Sequence, residues 1–208
     1  MVISDAQRFL FVHVQKTGGS TIDKRLDDVL PDARGVKGVD RHATLGKILE
    51  AEPGLASYWI VGYVRNPFAR LLSWYRMVER LEDRAAKGRR GSQKFFARKS
   101  FIKSVSQDYP DFESFILKGT EEWPRLRTPQ VSYLTVKGGR RADFVGRQES
   151  LEADLRAVFA RFDMPWEPLQ SVNVDHQRPD YREIYTPAMR RRVEELFARD
   201  LAAFDYTF

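Results

Sequence analysis

The sequence predicts a three-layer α/β fold in which helices flank a central parallel sheet. Two apolar segments, residues 9–14 and 58–64, carry this prediction. Each is apolar at both its odd and its even positions, which is typical of strands covered on both faces of a sheet. A helix is predicted between them, over residues 21–30. Strand, helix and strand in this order form a right-handed crossover, which places both strand ends on one edge of the sheet.

Length and composition favour one domain with anionic partners. The 208 residues are 42% hydrophobic, and the formal charge is +6 with a pI near 9.6. Cysteine is absent and the three histidines are widely spaced, so we expect no disulfide and no metal site. The first strand leaves no room for a signal peptide, and no apolar run approaches the ~18 residues of a membrane span. We therefore expect a cytoplasmic location and no transmembrane segment.

The loop after the first strand has the composition of a phosphate-binding turn. Gly18 and Gly19 can adopt positive φ and let backbone N–H groups approach a ligand. Ser20 and Thr21 offer hydroxyl groups where the helix begins, and Lys16 adds a full charge to the anion-attracting N-terminus. The alternative is an ordinary strand-to-helix turn that happens to contain two glycines.

The next elements are predicted from capping signals. Thr44 is the expected N-cap of a short helix that ends before Pro53. After the second strand, Asn66 is expected to cap a helix that begins at Pro67. This helix is expected to bury four residues at helical spacing: Phe68, Leu71, Leu72 and Tyr75.

Two polar residues near the end of the second strand are candidate ligand groups. Arg65 ends the strand, and Ser73 lies about two turns into the helix. The alternatives are a salt-bridged arginine at a helix start and an ordinary helical serine.

Residues 84–103 contain eight Lys or Arg and no Asp or Glu. This stretch is interpreted as a solvated or mobile insertion, or as a landing site for an acidic acceptor. No nucleic-acid-binding signature accompanies it, so we expect no nucleic-acid partner.

The remaining chain is predicted as scaffold. A short helix is expected over 111–117, a strand, Gly-Gly turn and strand over 133–145, and an amphipathic helix over 151–162. A polar loop is expected over 166–185. A final helix opens at Thr186 and Pro187, and four residues are expected to face inward from it: Val193, Leu196, Phe197 and Leu201.

Two motifs together resemble the cofactor-binding signatures of sulfotransferases that use 3′-phosphoadenosine 5′-phosphosulfate (PAPS): HVQKTGGST near the start and VRNPFARLLSWY some fifty residues later. The similarity is greatest to the carbohydrate sulfotransferase branch. It continues through DFVGRQESLEADL and the C-terminal residues, and leaves out only the basic stretch. The resemblance implies a P-loop-like fold and a single sulfotransferase domain over residues 1–208, with an insertion at about 84–104.

The resemblance also implies a ligand set and a reaction. The 5′-phosphosulfate would be held by the first loop: Lys16, Thr17, Gly18, Gly19, Ser20 and Thr21. Lys16 would approach the oxygen that bridges phosphorus and sulfur, and Arg65 and Ser73 would hold the 3′-phosphate. The sulfuryl group would pass to a hydroxyl of an acceptor, most suitably a carbohydrate, leaving 3′-phosphoadenosine 5′-phosphate (PAP). No metal would be required.

The acceptor hydroxyl must lose a proton, so a general base is needed. His42 occupies the place where related polysaccharide sulfotransferases carry their catalytic histidine, with Glu149 as the carboxylate alternative. His13 is interpreted as a hydrogen-bonded structural residue, His176 as structural or substrate-lining, and Arg147 as a possible cofactor or substrate contact. Two departures stand out: Gln15 replaces the proline of many relatives, and the loop 173–178 lacks an expected lysine.

Two other functions compete with this prediction. A P-loop kinase or NTPase would share strand, glycine-rich loop and helix, but Lys16 precedes both glycines and the second strand ends in Arg65 rather than an acidic residue. A non-catalytic polyanion-binding module could be built on the basic stretch.

Overall fold

A computed structural model of the chain describes residues 1–96, 100–169 and 180–208. It confirms the mixed α/β class, with a central sheet flanked by helices. The described residues divide into two compact units, one formed by residues 1–65 and 130–169 and the other by residues 66–96, 100–129 and 180–208. A single functional domain over 1–208 stays a prediction.

The sheet has four strands in the described residues, in the order β1-β2-β3-β4. They are β1 Val2–Ser4, β2 Phe9–Val12, β3 Trp59–Val64 and β4 Phe144–Arg147. β2, β3 and β4 are parallel neighbours, so their carboxyl ends share one edge, as predicted for β2 and β3. β1 is antiparallel to β2 and was not predicted, because three residues carry too little pattern.

The helices of the described residues are, in chain order, α1 Gly19–Val29, α2 Leu45–Ala51, α3 Pro67–Ala86, α4 Arg90–Gln93, α5 Phe101–Asp108, α6 Phe112–Ser114, α7 Thr120–Glu122, α8 Pro124–Arg127, α9 Val131–Leu134, α10 Leu151–Arg161, α11 Tyr181–Ile184, α12 Pro187–Leu196 and α13 Ala198–Phe204. Short 3-10 helices cover Pro53–Ser57 and Gln148–Ser150, and a π-helix covers Phe115–Gly119.

Both faces of the sheet are covered within the first unit. On one face, apolar residues of β2 and β3 form a core with residues of α1 and α10, among them Phe11, Tyr63, Leu26 and Leu155. On the other face, Leu134 of α9 lies against Gly62, where a Cβ atom would be 2.2 Å from Cδ2 of the leucine. The apolar pattern of β2 and β3 on both parities follows from this three-layer arrangement.

The predicted strand–turn–strand over 133–145 is wrong. Its first part is the end of helix α9, and only an isolated bridge between Thr135 and Arg141 encloses a turn with Gly138 at φ 70°. The second part begins the single strand β4, which pairs with β3 instead of with a hairpin partner. Leu134 is buried against the sheet, so this segment gains more from core packing than from a hairpin.

Other boundaries shift by short distances. α1 begins at Gly19 rather than at residue 21, and the predicted final helix is two helices, α12 and α13. The loop predicted over 166–185 contains the short helix α11, and its residues 170–179 lie outside the described residues.

The second unit is built around α3, the longest helix in the described residues. Phe68, Leu71 and Leu72 are buried as predicted, and Tyr75 packs against the same core from its edge. Residues of α5, the π-helix and α12 complete this core.

The basic stretch of residues 84–103 includes the end of α3, all of α4 and the start of α5. Its residues 97–99 lie outside the described residues, and its interpretation as an insertion stays a prediction. Phe95 on this stretch is 41% exposed. None of the helices in the described part of the chain is long and apolar enough to cross a membrane.

Candidate active site

The junction between β2 and α1 forms the first half of the candidate site. Gly18 is the N-cap of α1 at φ 87°, and as a glycine it has no side chain with which to cap the helix. At its N-terminus this eleven-residue helix presents the positive end of its dipole and the backbone N–H groups of its first turn. Such an end attracts an anion, as the sequence predicted.

Lys16 adopts a backbone conformation that is unusual for a residue with a side chain. Its φ is 71°, in the left-handed region, and the residue is half-buried. A conformation of this kind costs free energy and persists only where the surroundings fix it. The loop therefore fixes the backbone of Lys16 and the direction of its Cα–Cβ bond.

Each of the two glycines is required for a different physical reason. Gly18 has a positive φ, and Leu151 lies so close that a Cβ would be 2.8 Å from its Cδ2 atom. Gly19 has ordinary helical geometry, but a Cβ there would lie 2.1 Å from Nε2 of His13. The loop can thus form only where the second glycine lets the His13 ring pack against the first turn of α1.

The three hydroxyl residues of the loop differ in position. Thr17 is fully buried, and its hydroxyl donates to the Val14 carbonyl at 2.9 Å. Ser20 is exposed at the helix start, and Thr21 is half-buried. Thr17 therefore shapes the loop from inside, while Ser20 presents its hydroxyl to solvent.

His42 is held in one tautomer by the backbone where the chain leaves β2. Its Nδ1 atom lies 3.2 Å from the His13 carbonyl oxygen. Since a carbonyl oxygen can only accept, Nδ1 carries the proton and Nε2 keeps its lone pair. The His42 backbone N–H also donates to Asp40 Oδ1 at 2.7 Å. An imidazole with a free lone pair on Nε2 is the form that a general base requires.

Burial keeps His42 neutral. Desolvation by burial, followed by repulsion from His13 when that residue is protonated, lowers the pKa of His42 from 6.5 to about 4. The residue is half-buried, so water can still reach it. At neutral pH the imidazole is therefore present in its proton-accepting form.

His13 connects His42 with the loop. The two imidazole rings meet edge to face with centroids 4.3 Å apart. His13 is buried, and its Nδ1 lies 2.9 Å from Asp23 Oδ2, so the prediction of a hydrogen-bonded histidine is confirmed. Arg41 also donates to Asp23 Oδ2, at 2.7 Å. Four polar side chains thus meet at the start of α1.

Arg65 follows β3 at the same edge of the sheet. Its backbone is bound on both sides by the buried side chain of Gln130, which accepts from the Arg65 N–H at 3.0 Å and donates to the Arg65 carbonyl at 2.8 Å. The main chain at this position is therefore fixed from within the first unit.

Ser73 belongs to the second unit. It is half-buried on α3, a helix whose start at Pro67 is capped by the Asn66 side chain, which accepts from the Phe68 N–H at 3.1 Å. Its predicted role as a phosphate ligand stays a prediction.

Arg147 and Glu149 lie at the end of β4 and in the segment that follows it. Arg147 ends β4, its partner in the sheet register is Val64, and its backbone N–H donates to Asp154 Oδ2 at 2.7 Å. Glu149 lies in the following 3-10 helix, shortly before Leu151, which contacts Gly18. Arg147 and Glu149 are both exposed. His176 lies outside the described residues.

Three residues of this region were missed by the sequence reasoning: Asp23, Arg41 and Gln130. Asp23 lies ten residues after His13, and no local pattern predicts that a helix would bring the two together. Arg41 directly precedes His42 in the sequence, and this adjacency was the one signal that could have identified it as part of the site. Gln130 lies 65 residues after its partner, so only the tertiary fold pairs them.

Comparisons with known proteins complete the description of the site. A family model described as "Sulfotransferase family" matches residues 1–207, almost the whole chain. The comparison with curated proteins returned no significant match.

Proposed function

The chain belongs to the sulfotransferase family, and from this premise we propose that it transfers the sulfuryl group of PAPS to a hydroxyl group of a carbohydrate acceptor. The family supports a sulfuryl-transferring enzyme in general. The donor, the acceptor class and the general base are the proposal's own additions.

The loop between β2 and α1 fits the phosphosulfate end of such a donor. The N-terminus of α1 favours an anion, Gly18 and Gly19 allow close backbone approach, and Lys16 supplies a positive charge. When bound, the donor supplies the sulfuryl group and departs as PAP. Arg65 and Ser73 enter the proposal as 3′-phosphate ligands on the strength of the motif resemblance alone.

His42 is assigned the role of general base. Its Nε2 accepts the proton of the acceptor hydroxyl while that oxygen forms a bond to sulfur and the bond from sulfur to the 5′-phosphate oxygen breaks. Lys16 neutralises the negative charge that develops on the departing phosphate oxygen. Proton, sulfuryl group and leaving group are then all accounted for by two side chains and the two substrates.

One observation carries the assignment of the base. The His13 carbonyl accepts from Nδ1 of His42 and so leaves Nε2 as the proton acceptor, beside the ring that contacts Gly19 of the loop. A carbohydrate acceptor is favoured by the motif resemblance, and an acidic one by the formal charge of +6.

The test is a transfer assay with radiolabelled PAPS and a panel of glycans, lipids and phenols. We expect label on a glycan hydroxyl. His42→Ala should reduce turnover about 10²- to 10⁴-fold with PAP affinity nearly unchanged, whereas Lys47→Ala, an exposed change on the following helix, should have no effect. Full activity of the His42 variant would remove it as base. Transfer to no hydroxyl, together with magnesium-dependent ATP turnover, would replace the proposal with the kinase alternative.

A further inference from the structure

His13 makes three contacts with two functional parts of the first unit. Its carbonyl oxygen accepts from His42, its ring lies edge to face against the His42 ring, and its Nε2 edge faces Gly19. The residue is only 2% exposed, so solvent does not compete for these contacts. The position of one buried ring therefore affects both the phosphate loop and the proposed base.

The opposite edge of this ring is held by a charged pair. His13 Nδ1 lies 2.9 Å from Asp23 Oδ2 and 3.2 Å from Arg41 Nη2, which itself donates to the same oxygen at 2.7 Å. Arginine cannot accept a hydrogen bond, and a carboxylate accepts from two donors readily. His13 Nδ1 is thus a donor to Asp23, and the Arg41 approach results from two donors sharing one acceptor.

We propose that Asp23, with Arg41, is a positioning residue for catalysis: it fixes the tautomer and orientation of His13, whose ring and carbonyl in turn orient His42 over the phosphate loop. This inference rests on the proposed function and adds residues to it. Asp23 touches neither substrate in this scheme and acts only through His13.

The charges around the two histidines agree with this role. Around His42 lie His13, Arg41 and Asp40, and around His13 lie Asp23, Arg41 and the amino group of Met1, which donates to the Arg41 carbonyl at 2.6 Å. Desolvation lowers the pKa of His13 against the opposing effect of Asp23. His13 is therefore neutral with its Nδ1 proton shared with Asp23, a form that leaves Nε2 unprotonated against Gly19.

A purely structural role for Asp23 predicts a different outcome. Loss of a packing contact would lower stability but would leave the tautomer of His42 unchanged. A positioning role predicts that removing the carboxylate changes the ring nitrogens of both histidines, although Asp23 has no direct contact with His42 among the described residues.

The experiment is long-range ¹⁵N–¹H NMR on full-length protein labelled at histidine, with signals assigned through His42→Ala. In the wild type we expect His42 and His13 as Nδ1–H tautomers at pH 7. Asp23→Asn should shift the ring ¹⁵N signals of both residues and lower kcat about 10-fold or more, with a smaller change in the Kd of PAP. Asp27→Asn, the same charge change at an exposed position one turn along α1, should do neither.

Asp23→Glu serves as the conservative variant, because it keeps a carboxylate and should recover part of the tautomer preference and of kcat. The inference is overturned if wild-type His42 carries its proton on Nε2, a result that needs no variant to fold. It is also overturned if Asp23→Asn behaves like Asp27→Asn in both measurements.

The two proposals fail separately. Expected tautomers in a protein that transfers no sulfuryl group would remove the proposed function and keep the His13 arrangement. Sulfuryl transfer with an unaltered His42 spectrum in Asp23→Asn would keep the function and remove Asp23 as a positioning residue.

Discussion

Two strand-to-helix junctions of this protein, from β2 to α1 and from β3 to α3, begin their helices in opposite ways. After β2, the loop before α1 passes through two left-handed residues, Lys16 and Gly18, and the N-cap position is the glycine, which has no side chain with which to cap the helix. After β3, α3 begins almost at once, and Asn66 caps it with its own side chain. One helix start is kept available and the other is closed.

This difference separates two modes of anion binding. At α1 the backbone N–H groups and the dipole can act on a ligand directly. At α3 the Phe68 N–H is already satisfied by Asn66, so a phosphate there is better bound by side chains. The first junction suits a group whose charge changes during reaction, and the second suits a group that is only held.

The largest effect is expected from Lys16→Ala at the open junction. Loss of the positive charge beside the leaving phosphate should reduce kcat about 10²- to 10³-fold. The matched control is Lys24→Ala, which removes an exposed lysine of α1 and should retain activity. Steady-state kinetics of both variants gives the answer, and equal kcat values would mean that the open junction does not stabilise the transferred charge.

The second effect is on stability. Gly19→Ala places a methyl group 2.1 Å from His13 Nε2, and we expect the free energy of unfolding to fall by about 1–3 kcal/mol from overpacking. Gly35→Ala has open space around its Cβ and should be nearly neutral. Urea unfolding followed by circular dichroism compares the two. A tolerated Gly19→Ala would show that the His13 ring does not fix the loop.

At the closed junction we expect a smaller loss. Asn66→Ala removes two hydrogen bonds. One is the cap of α3, in which the Phe68 N–H donates to Asn66 Oδ1 at 3.1 Å, and the other runs from Asn66 Nδ2 to the Thr207 carbonyl at 2.8 Å. The expected cost is about 1 kcal/mol or somewhat more. Thr44→Ala removes a longer cap bond of 3.4 Å from α2 and should cost less. Thermal unfolding ranks the two variants, and the reverse order would refute the importance of this closure.

A further effect is the pH dependence of stability. His42 has its pKa lowered from 6.5 to about 4 and the pKa of His13 is shifted in the same direction, so the unfolded chain binds more protons than the folded one between these values. The free energy of unfolding should therefore be highest above pH 6.5 and decrease as the pH falls towards 4. His42→Gln should flatten this slope, which denaturant titrations at about pH 4.5, 5.5 and 7 can measure.

Much of this arrangement could be predicted from local signals. The parallel pair β2 and β3, the caps Thr44, Asn66 and Thr186, and the buried stripe of α10 all follow from periodicity and capping chemistry that act within a few residues. The prediction of a hairpin over 133–145 was wrong because Leu134 packs against Gly62 of β3. A local turn signal cannot anticipate that competition.

The sequence by itself determined the fold class, the glycine-rich loop and the family, because buried strands, glycines and motif spacing are properties of short segments. The sequence predicted His42 as the general base, but it did not indicate which ring nitrogen would accept the proton. Only the tertiary structure decided that the His13 carbonyl fixes this nitrogen, that Asp23 and Arg41 hold the His13 ring, and that Gln130 fixes the backbone of Arg65. Each of these contacts joins residues at least ten positions apart. Burial, which gives a hydrogen bond its directing strength, exists only once the chain has folded.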